Sequence, residues 1–289
     1  MLLTKKLPIR ELFCNFIKNF IMIVKALQQA DLFKEKIIES PDVKQLKQII
    51  SLIDYTTLND IDSIESVTQW VKESQLLIEK SGVNFGGWCT YAEFAPLVKS
   101  LRGFAPVSIA VVSGNFPSGK ATTELKVSES VLAEQAGAEE IDVVINKGWA
   151  VNSEYDKIGK EIKEVKNALT KAHLKVIMET GLLSPVQIQK ISETAINSGA
   201  DFIKTSTGKI PEGATLDAVA IMCYQIKDHY EKTGKKIGIK PSGGISTPEE
   251  ALRYILLIER ILGPGWIDSK FCRIGASRLL KNAVDKLMG

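Results

Sequence analysis

Short apolar segments alternate with longer amphipathic segments from about residue 50 to the end of the chain. The short segments have the length and composition of buried strands. Serine or threonine followed by proline begins two of the intervening helices, at Ser184 and Thr247, and glycines such as Gly82 and Gly234 follow helix ends. The eight predicted strands are residues 51–56, 87–91, 107–112, 140–145, 174–179, 202–206, 237–240 and 273–276.

Eight β–α units with apolar strands favour a parallel sheet that is covered on both faces. A closed (β/α)8 TIM barrel of the α/β class, over residues 50–289, is the simplest such fold, and a doubly wound open sheet is the alternative. The pattern of residues 1–49 indicates an amphipathic helical extension. We expect this extension to pack on the outer wall of the barrel or to close its bottom, with an oligomer contact as the alternative.

The composition excludes several classes of protein. The chain of 289 residues is 45% apolar and 25% charged, which is typical of a globular protein rather than a disordered or fibrous one. Its net charge of +3 is too small to indicate a nucleic-acid partner. The four cysteines and two histidines lack zinc-ligand spacing, and nothing requires disulfides, so we expect no metal and a cytoplasmic location. The apolar residues 20–24 are too few to span a membrane, which needs about 20.

Two predicted strands contain a lysine near their carboxyl ends, in "FIKTS" and "IGIKPSGG". Strands of a barrel end at one mouth, so Lys204 and Lys240 are expected to be neighbours there. Burial and like-charge repulsion lower the pKa of one of two such lysines, and an amine with a pKa of roughly 7–8 forms a Schiff base with a carbonyl group. The alternative is that each lysine pairs with an acidic side chain or reaches to the rim.

Acidic side chains also interrupt apolar strands. Asp142, in "EIDVVIN", has two interpretations, a proton carrier beside a buried lysine or a structural ion pair. Asp54, in "IDYTTLND", has the same two, with a turn or cap role as a third. We favour a structural role for Glu179, and we interpret Cys89 as a small buried apolar side chain rather than a catalytic thiol.

Glycine-containing turns follow the last three predicted strands, at Gly208, at Gly243 and Gly244, and at Gly275. The last two turns lead directly into helical segments, where backbone N–H groups and helix N-termini bind phosphate. Barrel enzymes often bind phosphate near strands 7 and 8. The segment "TGK" lacks the rest of the P-loop pattern, so we do not predict nucleotide binding from it.

These segments resemble a known family. The segments "IDYTTLND", "EIDVVIN", "LKVIMETG", "GADFIKTSTGK", "IGIKPSGGI" and "RIGAS" resemble the successive strand motifs of deoxyribose-phosphate aldolase, in order and spacing, over about residues 47–285. The resemblance implies a TIM barrel and a class I aldolase without metal or other cofactor. It also implies reversible cleavage of 2-deoxy-D-ribose 5-phosphate into D-glyceraldehyde 3-phosphate and acetaldehyde, and a homodimer is the assembly we expect from it.

The resemblance implies a role for each matching residue. Lys204 takes the Schiff-base role, Lys240 lowers the pKa of that lysine, and Asp142 relays protons through an ordered water. Lys175 matches a lysine that pairs with Asp142, and Cys89 matches a thiol that reacts with excess aldehyde. The candidate substrate-binding residues are Asp54, Cys89, Lys175, Thr205, Thr207, Gly208, Lys209, Gly243, Gly244, Gly275, Ser277 and Arg278.

The sequence departs from the family pattern at three places. Ser246 stands where the family commonly has a basic residue after "GGI", and Arg278 stands where it often has a second hydroxyl residue after "GAS". We expect Arg278 to replace the missing charge in the phosphate pocket. The chain has no tyrosine after Tyr254, so proton transfer by a C-terminal tyrosine is not expected. A class I aldolase of altered substrate range and a non-catalytic barrel that binds phosphosugars are the alternative functions.

Overall fold

The computed structural model describes the backbone of residues 9–289, and the side chains of position 14 and of positions 17–289. Eight strands alternate with helices over this part of the chain. The strands are β1 (Ile53–Thr56), β2 (Gly87–Tyr91), β3 (Ser108–Ser113), β4 (Glu140–Val144), β5 (His173–Ile177), β6 (Phe202–Lys204), β7 (Gly238–Lys240) and β8 (Ile274–Ala276). The helices are α1 (Ile9–Glu35), α2 (Val43–Ser51), α3 (Ile64–Ser81), α4 (Ala95–Arg102), α5 (Thr123–Gln135), α6 (Lys147–Val151), α7 (Tyr155–Ala168), α8 (Pro185–Asn197), α9 (Leu216–Thr233), α10 (Pro248–Leu262) and α11 (Leu279–Met288).

The eight strands form one parallel sheet that closes on itself. Strands β1 to β7 pair in chain order, and β8 pairs with β1. Between β7 and β8 the backbone N–H of Arg273 donates to the carbonyl of Ile239 at 3.0 Å, and that of Gly275 donates to Pro241 at 2.9 Å. Parallel bridges join the same two segments. The predicted TIM barrel is therefore confirmed, and the doubly wound open sheet is excluded.

Side chains alternate between the two faces of each strand, as the pleat requires. In β4, Ile141 and Val143 belong to the large apolar cluster shared with the surrounding helices. Glu140 and Asp142 alternate with them, and their carboxylates bond side chains of other strands in the barrel interior. The wall of the barrel is thus apolar, whereas its interior carries charged side chains.

The two helices that precede β1 lie against the outside of the barrel. Helix α1 contacts α8, α9 and α10, and it buries Ile23, Ala26, Ala30 and Phe33. Helix α2 packs against α10 and α11 and is capped by Asp42, whose carboxylate accepts from the backbone of Gln45. None of the helices in the described part of the chain is long and apolar enough to cross a membrane.

The predicted helix starts at Ser184 and Thr247 are N-caps in the structure. The hydroxyl of Ser184 accepts from the backbone of Gln187, and that of Thr247 accepts from Glu250. Each cap also receives the reciprocal contact from that Gln or Glu side chain, which completes a capping box. These caps fix where α8 and α10 begin, and hence the lengths of the loops after β5 and β7.

Candidate active site

Three lysines converge on one carboxylate inside the barrel. The Nζ atoms of Lys204 and Lys240 both donate to Oδ2 of Asp142, each at 2.7 Å. The Nζ atom of Lys175 lies 3.3 Å from Oδ1 of Asp142. Strand register explains this arrangement, because Asp142 is opposite Lys175, and Lys204 is opposite Lys240, on neighbouring parallel strands.

Two further carboxylates and an arginine extend this cluster toward the amino ends of the strands. Asp54 pairs with Lys240, with Nη1 of Arg273 at 2.5 Å, and with Lys175 at 3.7 Å. Glu140 pairs with Lys175 and with Nη2 of Arg273 at 2.8 Å. Together the seven side chains form one interior charge network of four cations and three carboxylates. Its members are Asp54, Glu140, Asp142, Lys175, Lys204, Lys240 and Arg273.

The carboxylates at the centre of the network are held in their ionised form. Burial opposes ionisation of Asp142, but Lys175, Lys204 and Lys240 outweigh it and hold the pKa of Asp142 well below its usual range. Burial likewise opposes ionisation of Asp54, and Lys240 and Arg273 are the main groups that lower its pKa. Both aspartates therefore carry a negative charge at neutral pH.

Most of the cations in the network are also held in their charged form. Burial disfavours the ammonium of Lys240, but Asp142 and Asp54 reverse the effect and raise its pKa well above the usual value. The same balance, with Asp142 and Glu140 as the main partners, raises the pKa of Lys175. The sequence predicted that one lysine of the Lys204 and Lys240 pair has a lowered pKa, and Lys240 is not that lysine.

Glycines leave the interior space that these long side chains occupy. A Cβ atom at Gly87 would lie 3.0 Å from Nη1 of Arg273 and 3.1 Å from Oδ1 of Asp54. A Cβ atom at Gly275 would lie 3.2 Å from Cε of Lys240. The charged layer therefore depends on small residues in β2 and β8 as much as on the charged residues themselves.

A cavity of about 290 Å³ lies at the carboxyl ends of the strands, above the interior charge network. Loops that follow β1, β6, β7 and β8 surround it. Lys204 is the one network member among the residues that line this cavity. Lys240, Lys175 and Asp142 are fully buried beneath it. A molecule in this cavity can thus reach the amine of Lys204, whereas the amine of Lys240 is fully buried.

Hydrogen bonds between loops fix one side of the cavity. The hydroxyl of Thr205 accepts from the backbone N–H of Ser242 at 2.9 Å and lies 3.1 Å from its carbonyl, and the hydroxyl of Ser242 donates to the carbonyl of Ser206 at 2.6 Å. Gly243 and Gly244 have φ angles of +86° and +83°, which other residues adopt only with strain. These bonds join the loop after β6 to the glycine turn after β7.

Glu179 holds the loop that follows β6. Its carboxylate accepts from the backbone N–H and the hydroxyl of Thr207, at 3.0 and 2.7 Å, and Lys147 lies 3.4 Å away. Glu179 itself has a φ of +58°, which interrupts the strand that the sequence predicted to continue to residue 179. In this conformation the carboxylate of Glu179 points toward the loop after β6.

The structure places the predicted site residues in two groups. Those that line the cavity are Lys204, Thr207, Gly208 and Lys209 after β6, Gly243 and Gly244 after β7, and Gly275, Ser277 and Arg278 after β8. Those that lie outside its lining are Asp54, Cys89, Asp142, Lys175, Thr205 and Lys240. Burial raises the pKa of the Cys89 thiol, whose Sγ lies 3.9 Å from Nζ of Lys240.

Sequence reasoning missed Glu140 and Arg273. A signal for Glu140 was present, since it precedes Asp142 by two positions and therefore shares its face of β4. Arg273 likewise stands two positions before Gly275, on the inward side of the last strand. The cavity lining also includes Ser246, which like Arg278 departs from the family pattern.

Comparison with known proteins identifies the family. The model of the DeoC/LacD family aldolase matches residues 48–256. A deoxyribose-phosphate aldolase of Mus musculus is 34% identical over 250 residues, which are 82% of this chain and 79% of the mouse protein. A Caenorhabditis elegans protein, whose name assigns it provisionally to the same enzymes, is 38% identical over 84% of this chain and 82% of its own length.

Solved structures agree with this assignment. An aldolase named QR15 is 31% identical and has a TM-score of 0.69, over 83% of this chain and 96% of QR15. A deoxyribose phosphate aldolase from Aeropyrum pernix, described as tetrameric, has a TM-score of 0.63 at 24% identity, over 85% and 94% of the two chains, and supports the fold alone. Since the family model covers most of the chain and two relatives exceed 30% identity, the chain belongs to the DeoC/LacD aldolase family.

Proposed function

We propose that the chain is a class I deoxyribose-phosphate aldolase that cleaves 2-deoxy-D-ribose 5-phosphate reversibly into D-glyceraldehyde 3-phosphate and acetaldehyde, with Lys204 as the Schiff-base residue. The mouse relative bears the name of this enzyme. The observation that carries the proposal is the position of Lys204, which alone of the network members lines the cavity while its amine bonds to Asp142. A nucleophile beneath a substrate cavity and beside an acid–base group is the arrangement that imine chemistry requires.

The reaction begins with the neutral amine of Lys204. It attacks the C1 aldehyde of the open-chain sugar, and loss of water gives a protonated imine that withdraws electrons from C2. A base removes the proton of the C3 hydroxyl, the C2–C3 bond breaks, and glyceraldehyde 3-phosphate leaves. Protonation of the resulting enamine at C2 and hydrolysis of the imine release acetaldehyde and restore the amine.

Asp142 is the group best placed to accept and return protons at Lys204. Its Oδ2 lies 2.7 Å from the Lys204 amine, within the range for direct proton transfer. Lys240 holds the other side of the same oxygen, which keeps the carboxylate in position. Tyr254 does not take part in this step, since its hydroxyl donates to the carbonyl of Ala214, and burial raises its pKa to about 12.

The glycine turns and Arg278 form the phosphate side of the cavity. Gly208, Gly243 and Gly244 lie on one part of its wall, and the turn before α11 contributes Ser277 and Arg278. The guanidinium of Arg278 supplies there the positive charge that Ser246 lacks. Binding of the distant phosphate orients the aldehyde toward Lys204 and lowers the barrier to reaction.

The Ser246 and Arg278 exchange favours one alternative, a class I aldolase of altered substrate range. Both residues line the cavity that the phosphate would occupy, so a change in their charge alters the preferred acceptor aldehyde. Activity with deoxyribose 5-phosphate, compared with a panel of phosphorylated and unphosphorylated aldehydes, separates the two functions.

Sodium borohydride trapping tests the proposal. The reagent reduces an imine to a stable secondary amine, so incubation with deoxyribose 5-phosphate followed by peptide mass mapping marks the nucleophile. We expect one substrate-dependent adduct on Lys204, and none in Lys204→Met. Lys281→Met is the matched control, because it removes a lysine that lies outside the cavity lining. An adduct on Lys240 would reverse the two assignments, and bound substrate without any adduct would indicate a non-catalytic phosphosugar-binding barrel.

We also propose that the chain forms a homodimer in the cytoplasm. Helix α1 exposes four apolar side chains at helical spacing, Ile17, Phe20, Ile21 and Val24, on its side away from the barrel. Burial of this stripe against a second copy would remove it from water. Cys89, Cys223 and Cys272 are buried free thiols, which fits a reducing compartment.

A further inference from the structure

The interior charge network has one positive charge too many when every member is ionised. Its four cations face three carboxylates, and all seven side chains are nearly or fully buried. An unbalanced charge in a poorly solvated interior is unfavourable, and the cheapest correction is the loss of one proton. Therefore the network is balanced when one of its amines is neutral.

Contacts within the network indicate which amine is neutral. Lys240 bonds to both Asp142 and Asp54, and Lys175 lies near all three carboxylates. Arg273 bonds to Asp54 and Glu140 and keeps its charge at any working pH. Lys204 has a single carboxylate partner, Asp142, and it lies nearest to the cavity.

Arg273 and Glu140 stand at the far end of this network. They line a depression at the opposite mouth of the barrel, at the amino ends of the strands, and neither lines the substrate cavity. Neither forms an ion pair with Lys204, whose partner is Asp142, so their charges act on its amine electrostatically across the barrel interior. They are thus placed to influence the reaction without touching the substrate.

We infer that Arg273 and Glu140 are positioning residues that set the proton affinity of the network, so that one amine, on Lys204, is neutral at working pH. This inference rests on the proposed Schiff-base function. The two residues have opposite effects on the proton of Lys204. Without Arg273, three cations face three carboxylates, so the network is balanced with Lys204 protonated. Without Glu140, the fully ionised network has two excess positive charges, so Lys204 loses its proton more readily.

The members of the interior charge network face Lys204 from the surrounding strands, and the loops after β6 and β8 add Lys209 and Arg278, which line the cavity together with it. The network contributes Asp54 on β1, two carboxylates on β4, and one basic residue on each of β5, β7 and the approach to β8. The inward side of β2 carries the Cys89 thiol, whose raised pKa keeps it neutral. The β3 side chains that pack with Cys89, Ala110 and Val112, are apolar.

The test is the pH dependence of kcat/KM for deoxyribose 5-phosphate in Glu140→Gln, in Arg273→Gln and in the double variant. The pH at the midpoint of the acid limb gives the apparent pKa of the group in the free enzyme that must lose its proton before reaction. A unit charge about 10 Å away, at an effective dielectric constant of about 20, moves such a midpoint by about one pH unit. We expect Arg273→Gln to move it upward, Glu140→Gln to move it downward, and the double variant to return it close to the wild-type value.

Matched controls come from the outer pair of Glu139 and Arg102. Glu139 is the chain neighbour of Glu140, and its carboxylate bonds to Arg102 at 2.7 Å with about half of its side chain exposed. Glu139→Gln and Arg102→Gln therefore remove the same charges at the same end of the barrel, outside the network. We expect both controls to leave the acid limb in place.

Borohydride trapping of the wild-type protein separates failure of this inference from failure of the proposed function. Without an adduct on Lys204, the proposed function fails and the inference fails with it. With an adduct, midpoints that stay fixed, or that move in the same direction in both single variants, overturn the inference alone. Lower thermal stability with unchanged midpoints shows that the two residues are merely structural. If Arg273→Gln does not fold, the downward shift in Glu140→Gln and its reversal in the double variant still decide the outcome.

Discussion

Replacement of Asp142 by asparagine is expected to affect both stability and catalysis. The fully buried carboxylate lies 2.7 Å from the amines of Lys204 and Lys240, and 3.3 Å from that of Lys175. Asparagine keeps the shape and one acceptor oxygen but removes the charge. Three buried lysines and Arg273 then face only two carboxylates.

The size of each effect follows from these contacts. Removing one partner of a buried ion pair costs roughly 3–5 kcal/mol, because it leaves an uncompensated charge. Since 1 kcal/mol corresponds to roughly 2–4 °C in a chain of about this size, Tm is expected to fall by roughly 6–20 °C. Loss of a positioned acid–base group lowers kcat by roughly 10²- to 10⁴-fold.

Thermal unfolding followed by circular dichroism, and kcat measured on the folded variant well below its Tm, check the two effects separately. Asp228→Asn is the matched control, because Asp228 also contacts two lysines, Lys18 at 2.9 Å and Lys232, but on the outer surface of α9. Exposed pairs contribute about 0–1 kcal/mol, so the control is expected to change Tm by less than about 4 °C and to leave kcat unaltered.

The two interpretations of Asp142 predict different results. If Asp142 carries protons, the asparagine variant has a lower kcat at every temperature at which it is folded. If Asp142 forms only a structural ion pair, the variant has a lower Tm, but the folded variant keeps a kcat within a few-fold of wild type. The second result would refute the acid–base role, and a variant with unchanged Tm and kcat would refute the reasoning about the buried network as well.

Three further predictions concern separate parts of the molecule. Arg278→Ala is expected to lower kcat/KM for deoxyribose 5-phosphate roughly 10- to 100-fold and to leave that for deoxyribose unchanged, whereas Lys281→Ala, outside the cavity, changes neither. Burial opposes ionisation of Glu134, but backbone N–H groups of the loop before β5 hold its pKa at about 2. Its stabilising effect is therefore present above about pH 4.3 and lost as pH falls toward 2, so denaturant titrations of wild type and Glu134→Gln are expected to converge in acid. Phe20→Glu on the exposed stripe of α1 is expected to give a monomer by light scattering, and Leu125→Glu, on the exposed surface of α5, to keep the dimer.

The positions of the strands were predictable because every strand is buried on both sides. All eight predicted segments overlap the observed strands, and the larger differences have local causes. The fifth strand ends at Ile177 instead of residue 179, since Glu179 adopts a positive φ to bond the next loop. The sixth ends at Lys204, and beyond it the hydroxyl of Thr205 bonds across to Ser242. The hydrophobic pattern predicts where a strand lies, but it does not predict where a contact with a neighbouring loop ends the strand.

The partners inside the barrel were less predictable than the strands. The adjacency of Lys204 and Lys240 followed from chain order in a parallel barrel, and the register places them side by side. The ion pair between Arg273 and Glu140 could not be predicted from chain order, because it crosses the barrel interior between strands that are not neighbours. Such a contact depends on the side chains that fill the interior and on glycines such as Gly87 that leave room for them.

The interior charge network also indicates where the stability of this barrel must come from. TIM barrels commonly fill their interior with layers of branched apolar side chains. Here much of that space holds seven charged groups, and buried ion pairs contribute little net stability even when their geometry is good. Burial of Ile141, Val143 and the corresponding outward residues against the helices must therefore supply most of the folding energy. The outer layer can thus stabilise the fold without help from the charged interior. Such a separation is what the inferred neutral amine of Lys204 requires, because the protein must remain folded while its interior charges are set for the proposed reaction.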